Sequence, residues 1–286
     1  VNNYAQYGGE HYSCDLMYDK MVKFVEDNAS SPFFVMWTTT VPHSAVQAPL
    51  DEVMHYVDKL GDEEPCTAPG MYLPNRYPHA TYAAMVTRID RQVGALVQKL
   101  KDLGIWENTI FIVTSDNGPA SNGNSPMEYF QSGGPFKCGK GWGKSSLHEG
   151  GIRMPFVLRW GEGKQCEKIG HISSFADIMP TLAEIAGVEA PENDGVSFAP
   201  TVLSLTTGGK RYSHASGIKA GEQKEHEYLY WEFPGSKGWV AVRIGDWKGI
   251  VRKVLKGNTE MELYNLKDDP RESTDVAAEH PEIVKE

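Results

Sequence analysis

The chain has 286 residues, 40% of them hydrophobic and 23% charged, which suits one large globular domain or a large and a small one. Its formal charge of −10 at pH 7 argues against a general polyanion binder, so nucleic acid is not an expected partner. No run approaches the roughly 18 consecutive apolar residues of a membrane span.

The four cysteines give no metal or redox signature. Cys14, Cys66, Cys138 and Cys166 are widely spaced and form no zinc pattern. Their spacing permits buried free thiols or up to two disulfides, so they indicate no compartment.

The first hundred residues are predicted to alternate helices with one strand. A helix is predicted from about Asp15 to Asp27, and Phe33 to Thr39 predicts a buried strand. Residues 50–77 are interpreted as a mixed loop region. Apolar residues at three- and four-residue spacing then predict a structural amphipathic helix from Tyr82 to Leu103.

The stretch from Thr109 to Trp160 contains the residues most able to bind a metal ion or an anionic substrate. Ile110 to Val113 is short, apolar and β-branched, which predicts a strand buried on both faces, as in a parallel sheet. It ends at Asp116 and Asn117, where α/β sheets place ligand sites. Their oxygen atoms suit Ca²⁺ or Mg²⁺, although Asp-Asn-Gly taken alone favours a turn.

A glycine-rich loop with basic side chains follows this strand. Glycine allows the backbone to approach a ligand closely, and cations beside a metal site favour an anionic substrate. The side chains concerned are Lys140, Lys144, His148 and Arg153.

These motifs resemble the sulfatase family of the alkaline-phosphatase superfamily. The resemblance is carried by Thr-Ser-Asp-Asn-Gly at 114–118, Cys-Gly-Lys at 138–140 and Glu-Gly-Gly-x-Arg-x-Pro at 149–155. Further matches are Pro-His and Gln-Ala-Pro within 42–49 and the helix Asp-Ile-Met-Pro-Thr-Leu at 177–182.

The resemblance implies specific roles. Asp116 and Asn117 are the expected ligands of Ca²⁺, with Mg²⁺ less favoured, and Asp116 also accepts a proton from the nucleophile. His43 and Lys144 are the expected sulfate contacts. Lys140 competes with Lys144, because Lys140 fits Cys-Gly-Lys whereas Lys144 has the family's distance from Glu-Gly-Gly. Arg153 is expected to form a structural ion pair.

The family's nucleophile does not appear in this sequence. Sulfatases use a formylglycine made from the first residue of Cys-x-Pro-Ser-Arg, or from a serine there. Cys66 to Gly70 departs from this motif, because its proline comes one place too late and Ser-Arg is missing. The expectation is a C-terminal portion of a sulfatase, with the formylglycine in a missing N-terminal part. Such a chain is not expected to hydrolyse sulfate esters on its own, and it should bind calcium weakly. It should also expose a sheet edge that promotes association.

The fold class that the resemblance implies is α/β. Residues 1–208 are expected to belong to an alkaline-phosphatase-like domain with a mostly parallel central sheet flanked by helices, its N-terminal part missing. Aromatic and β-branched runs separated by turns predict a small antiparallel subdomain over 209–286. A basic cluster in that region is interpreted as a solvated face: Lys248, Arg252, Lys253 and Lys256.

The leading hypothesis is a sulfuric ester hydrolase whose partner is a sulfated small molecule or glycan. Family resemblance implies a periplasmic, secreted or lysosomal location. Two alternatives remain: a metal-dependent phosphoesterase of the same superfamily with a Ser or Thr nucleophile, and a non-catalytic binding module on a sulfatase scaffold. The patterns do not distinguish aryl from sugar sulfates, and they indicate no oligomeric state.

Overall fold

The structure is a computed structural model, and it describes residues 8–67, 73–121, 127–161, 168–205 and 222–286. The chain divides into two compact units. The first contains residues 1–106 and 120–130, and the second contains 107–119 and 131–286. The predicted domain boundary at 208/209 falls outside the described residues and stays a prediction.

The first unit is helical. Its helices are α1 (Ser13–Asn28), α2 (Leu50–Leu60) and α3 (Pro78–Asp102). Helix α1 confirms its prediction, and α3 confirms its own with a start four residues earlier than the predicted Tyr82. Pro78 suits this start, because the first turn of a helix does not need its missing N–H.

Helix α2 corrects the prediction of a loop. Val53 is buried against Ala80 and Ala84 of α3, with Tyr56 and Val57 packed around them. The spacing of Val53, Tyr56 and Val57 is helical, so a signal was present. The mixed loop interpretation gave more weight to the prolines further along the segment than to this spacing.

The predicted strand from Phe33 to Thr39 is wrong. These residues form no strand, and Phe34 and Met36 are 70% and 71% exposed. A strand requires a neighbour that accepts and donates its backbone hydrogen bonds, and none of the described residues pairs with this segment. Apolar composition alone was therefore insufficient.

The second unit begins with a two-stranded sheet. Strand β1 (Phe111–Thr114) forms where a strand was predicted. It pairs antiparallel with β2 (Phe156–Arg159), with Phe111 opposite Arg159. The expected parallel pairing and two-sided burial are not found for this pair, since Val113 is 38% exposed. The long connection between them carries helix α4 (Glu149–Ile152).

Helices α5 (Ile178–Ala186) and α6 (Ala199–Leu205) follow β2. Ser174 and Asp177 form a capping box at the short turn that leads into α5, and Gly187 ends α5 in the left-handed conformation. Trp160 packs in one cluster with residues of the α6 segment, Phe198, Val202 and Leu203. This cluster fixes β2 against α6.

The C-terminal region forms the predicted antiparallel sheet. Its strands follow chain order as a meander. They are β3 (Leu229–Phe233), β4 (Trp239–Ile244), β5 (Trp247–Arg252) and β6 (Met261–Asn265), and a short helix, α7 (Pro281–Lys285), ends the chain. Gly245 adopts φ +56° in the two-residue turn between β4 and β5, as such turns require.

The core of this sheet extends to the loop before α4. Leu147 is buried with Trp239, Ile250 and Tyr264, and Ile152 at the end of α4 packs against the same cluster. The glycine-rich segment is thus anchored at both ends of α4 in the hydrophobic core of the C-terminal sheet.

Cys14 and Cys66 are buried free thiols, whereas Cys166 lies outside the described residues. Within the described part of the chain, no helix is both long and apolar enough to cross a bilayer.

Candidate active site

The candidate site is built around the turn that follows β1. Asp116 is exposed and Asn117 is half-buried, directly after the last strand residues. The Ser115 hydroxyl donates to the carbonyl of Asn117 at 3.2 Å, and the Asn117 amide group donates to the Gly118 carbonyl at 3.2 Å. The turn orders the backbone while the Asp116 carboxylate stays accessible to a ligand.

Two backbone hydrogen bonds join this turn to the glycine-rich segment. The amide of Gly118 donates to the carbonyl of Gly151 at 2.9 Å, and the amide of Lys144 donates to the carbonyl of Pro119 at 2.7 Å. The Asp116–Asn117 turn and the lysine loop, which are separated by more than twenty residues in sequence, are therefore held together as one structure.

Glycine is required at the contact between them. A Cβ on Gly118 would lie 2.0 Å from the Gly150 carbonyl oxygen, and one on Gly150 would lie 2.1 Å from the Lys137 carbonyl oxygen. A Cβ on Gly151 would meet the Ser146 carbonyl oxygen at 2.4 Å. The Glu-Gly-Gly motif thus permits three backbone segments to approach to distances that any side chain would prevent.

The two candidate lysines differ in how the backbone holds them. Lys144 is half-buried, and its amide is bonded to the segment next to Asn117. Lys140 is exposed between Gly139 and Gly141, which adopt φ values of +126° and +86°. Both belong to the second unit, together with Asp116 and Asn117.

His43 belongs to the first unit. Its ring is exposed, its amide donates to the Thr40 carbonyl at 2.8 Å, and its Nδ1 lies 2.5 Å from the Ser44 carbonyl oxygen. The loop therefore holds the histidine in one local orientation. Its proposed role as a sulfate contact stays a prediction.

A buried charge cluster lies at α4, and sequence reasoning missed it. Lys248 of β5 has its Nζ 2.9 Å from Glu149 Oε1 and 3.0 Å from Glu272 Oε1, and all three side chains are nearly inaccessible. Burial alone would raise the pKa of Glu149, but Lys248, followed by Arg243 and Arg153, outweighs it and lowers this pKa. The carboxylate is therefore ionised within the protein.

This cluster corrects one prediction and confirms another. Lys248 is not part of a solvated face, because it is fully buried between two carboxylates. Arg153 forms the structural ion pair expected of it, with its Nη1 3.1 Å from Glu149 Oε2. No local pattern relates Lys248 to Glu149, since they are 99 residues apart.

His148, next to Glu149, is buried and stacks on Trp142 with ring centroids 4.0 Å apart. Its Nδ1 lies 3.4 Å from Glu272 Oε1. The Lys137 ammonium lies 3.5 Å from the centroid of the Trp142 ring. His148 thus serves the packing of the loop and does not present its ring to a substrate.

The side-chain oxygens of the turn are of the kind that a hard cation binds, but there are too few of them to complete a site. Asp116 and Asn117 offer side-chain oxygens, whereas Ca²⁺ takes six to eight oxygen ligands. In the described ranges no three His, Cys, Asp or Glu side chains converge so that they could hold a metal. The two residues can therefore supply part of a calcium site and not a complete one.

Comparison with known proteins decides the family. A model of the sulfatase family matches residues 1–188, and a model of the C-terminal region of N-sulphoglucosamine sulphohydrolase matches residues 140–285. This chain belongs to the sulfatase family.

Its relatives include carbohydrate sulfatases. N-acetylgalactosamine-6-O-sulfatase of Bacteroides thetaiotaomicron is 27% identical over an alignment of 241 residues, and the match covers 74% of this chain and 43% of that relative. Arylsulfatase K of Xenopus laevis is 27% identical over an alignment of 277 residues, and the match covers 91% of this chain and 46% of the relative. This sulfatase chain therefore spans about half the length of the curated relatives it matches.

A solved structure agrees on the fold. The crystal structure of Ps i-CgsB in complex with k-i-k-neocarrahexaose matches with a TM-score of 0.68 at 23% identity, over 96% of this chain and 53% of that one. The fold class is accordingly the alkaline-phosphatase-like α/β fold of the sulfatases, with the four-stranded antiparallel sheet at its C-terminal end.

Proposed function

We propose that this chain forms part of a sulfuric ester hydrolase that cleaves sulfate monoesters of carbohydrates, with aryl sulfates as the simpler substrates. The observation that carries the proposal is the pair of backbone hydrogen bonds that join the Asp116–Asn117 turn to the Lys144 loop. They hold an oxygen-rich turn and a cation in one rigid structure, which suits recognition of a sulfate group.

In this proposal each site residue has a defined role. The Lys144 ammonium binds the sulfate oxygens and opposes the negative charge that develops on the leaving oxygen. For His43, family resemblance alone implies a sulfate contact that helps to protonate the leaving oxygen. Asp116 and Asn117 would supply two of the oxygen ligands of a calcium ion. A bound calcium ion would polarise the sulfate as a Lewis acid.

The nucleophile would lie elsewhere in the protein, because no Cys or Ser in the 286 residues precedes x-Pro-Ser-Arg. We therefore expect no turnover from the 286-residue chain alone. The names of the relatives support a sulfated glycan as substrate, and the exported or lysosomal location stays a prediction from family resemblance.

The test compares lysine variants in the protein expressed from its complete reading frame. Hydrolysis of an aryl sulfate and of a sulfated disaccharide is measured for wild type, Lys144→Ala, Lys140→Ala and the exposed control Lys267→Ala. Losing one preorganised charge contact costs roughly 10²–10³ in kcat. We expect that loss for Lys144→Ala, a smaller loss for Lys140→Ala and wild-type rates for the control.

The same assay separates the alternatives. Preference for an aryl phosphate over an aryl sulfate would favour the phosphoesterase. Calcium-dependent binding of a sulfated saccharide without hydrolysis, in the complete protein, would favour the binding module. Sulfate hydrolysis that Lys144→Ala and Lys140→Ala leave unchanged would contradict the assignment of the sulfate contact.

A further inference from the structure

The buried charge cluster holds the first residue of α4 from two directions. The Glu149 side chain accepts a hydrogen bond of 2.9 Å from Lys248 Nζ. The Glu149 backbone amide donates at 2.6 Å to Oε2 of Glu272. A residue of the C-terminal sheet and one of the segment after it thus fix both the side chain and the backbone of Glu149.

Helix α4 is in turn in direct contact with the candidate site. The Gly150 carbonyl oxygen lies 2.0 Å from the position of a Cβ on Gly118, and the Gly151 carbonyl accepts the Gly118 amide hydrogen bond. Packing this close leaves no room for α4 to move without moving Gly118. Gly118 follows Asn117 directly, so a displacement of α4 reaches the proposed calcium ligands.

The cluster is electrostatically suited to hold one position. Two buried carboxylates share the Lys248 ammonium, and Arg153 and Arg243 lie 3.1 and 3.9 Å from the second oxygen of Glu149. Removing one member leaves an uncompensated buried charge, which strongly disfavours the original arrangement. A stable alternative position of α4 would have to separate these charges.

We propose that Lys248 and Glu272 are positioning residues of the sulfate pocket: through Glu149 and α4 they set the geometry of the Asp116–Asn117 turn. Neither side chain reaches the substrate, because both are buried. The C-terminal sheet therefore takes part in building the pocket. This inference rests on the proposed function in so far as the pocket binds sulfate.

A merely stabilising cluster makes a different prediction. In that case its loss would lower the free energy of unfolding, but the molecules that remain folded would bind sulfate as before. The experiment therefore needs a control that destabilises the same sheet without touching the cluster. Leu263→Ala serves, since Leu263 is a buried residue of β6 outside the charge cluster.

The variants are Lys248→Met, which keeps the aliphatic stem without the charge, and Glu272→Gln, which keeps an acceptor for the Glu149 amide. They are made in the complete protein. Hydrogen exchange of the Gly118 amide and competitive inhibition by inorganic sulfate are measured under conditions where each protein is folded. The second variant provides the test if Lys248→Met does not fold.

We expect the cluster variants to raise the Gly118 exchange rate and the sulfate inhibition constant by tenfold or more, and Leu263→Ala to change neither. Unchanged Gly118 exchange in a folded cluster variant would overturn the positioning role, whatever the activity of the wild type. A wild-type protein that neither binds nor hydrolyses sulfate esters would overturn the proposed function instead, while the exchange data still decide the positioning role.

Discussion

The amide of Gly118 donates a 2.9 Å hydrogen bond to the carbonyl of Gly151. This bond connects the turn after β1 to α4, the helix that follows the lysine loop. The two motifs by which the sequence resembles a sulfatase, Asp-Asn-Gly and Glu-Gly-Gly, thus meet in the structure. Their glycines are needed for this meeting, since each contact excludes a Cβ.

A methyl group at this contact is expected to destabilise the protein. Gly118→Ala and Gly151→Ala place a Cβ at 2.0 and 2.4 Å from carbonyl oxygens of the backbone. Overpacking of this kind costs roughly 1–3 kcal/mol or more. Urea unfolding of each variant measures the loss. Gly170→Ala is the matched control, because its Cβ meets nothing within 4 Å, and a loss there of equal size would contradict the steric explanation.

Replacing Glu149 is expected to change the acid sensitivity of the second unit. The pKa of Glu149 is lowered from its usual 4.5: burial opposes this, but Lys248 outweighs burial, with help from Arg243 and Arg153. Ionised Glu149 therefore stabilises the fold at neutral pH, and this contribution is lost as pH falls below about 4.5 and through the lowered pKa.

The measurement is urea unfolding of wild type and Glu149→Gln from pH 7 to pH 3. Breaking a buried pair costs about 3–5 kcal/mol, so the gap between them should be largest at neutral pH and shrink in acid. Glu260→Gln removes an exposed carboxylate and should leave stability at pH 7 unchanged. A Glu149→Gln gap that widens on acidification would show that the sign is wrong.

Thr181 is expected to stabilise the connection between α5 and α6 through its hydroxyl. Its Oγ1 donates to the Asp177 carbonyl at 2.6 Å and accepts from the Phe198 amide at 2.9 Å. Thr181→Val keeps the shape but leaves a buried N–H without its acceptor, at a cost of about 1–3 kcal/mol. Thr181→Ser keeps the hydroxyl and should lose less. Equal losses in thermal or urea unfolding would assign the effect to packing.

Glu63 is expected to stabilise the N-terminus of α3. Its carboxylate accepts the amides of His79 at 2.7 Å and Ala80 at 3.0 Å, which lack partners within the helix. Glu63→Ala should cost about 1–2 kcal/mol, as does the loss of other N-terminal caps. The exposed neighbour variant Glu64→Ala is the control. Urea unfolding with no difference between the two would contradict the capping role.

Several features followed from local patterns. The amphipathic spacing predicts α3, and the structure confirms it. The capping box at Ser174 and the turn at Gly245 likewise depend only on neighbouring residues. Helix α2 had a readable pattern that the loop interpretation overlooked. The strand prediction for Phe33 to Thr39 was wrong because a strand needs a hydrogen-bonding partner, and the composition of a segment does not reveal whether one is present.

Motifs were sufficient for the family and for the candidate residues Asp116, Asn117, Lys140, Lys144 and His43, because these chemical types stand in short, characteristic patterns. The antiparallel pairing of β1 with β2 and the burial of Lys248 required the tertiary structure. Strand direction depends on how a long connection returns, and a lysine is buried only where distant carboxylates compensate its charge. No short stretch of sequence determines either feature, because both depend on contacts between residues that are far apart in the chain. Lys248, for example, is 99 positions from Glu149.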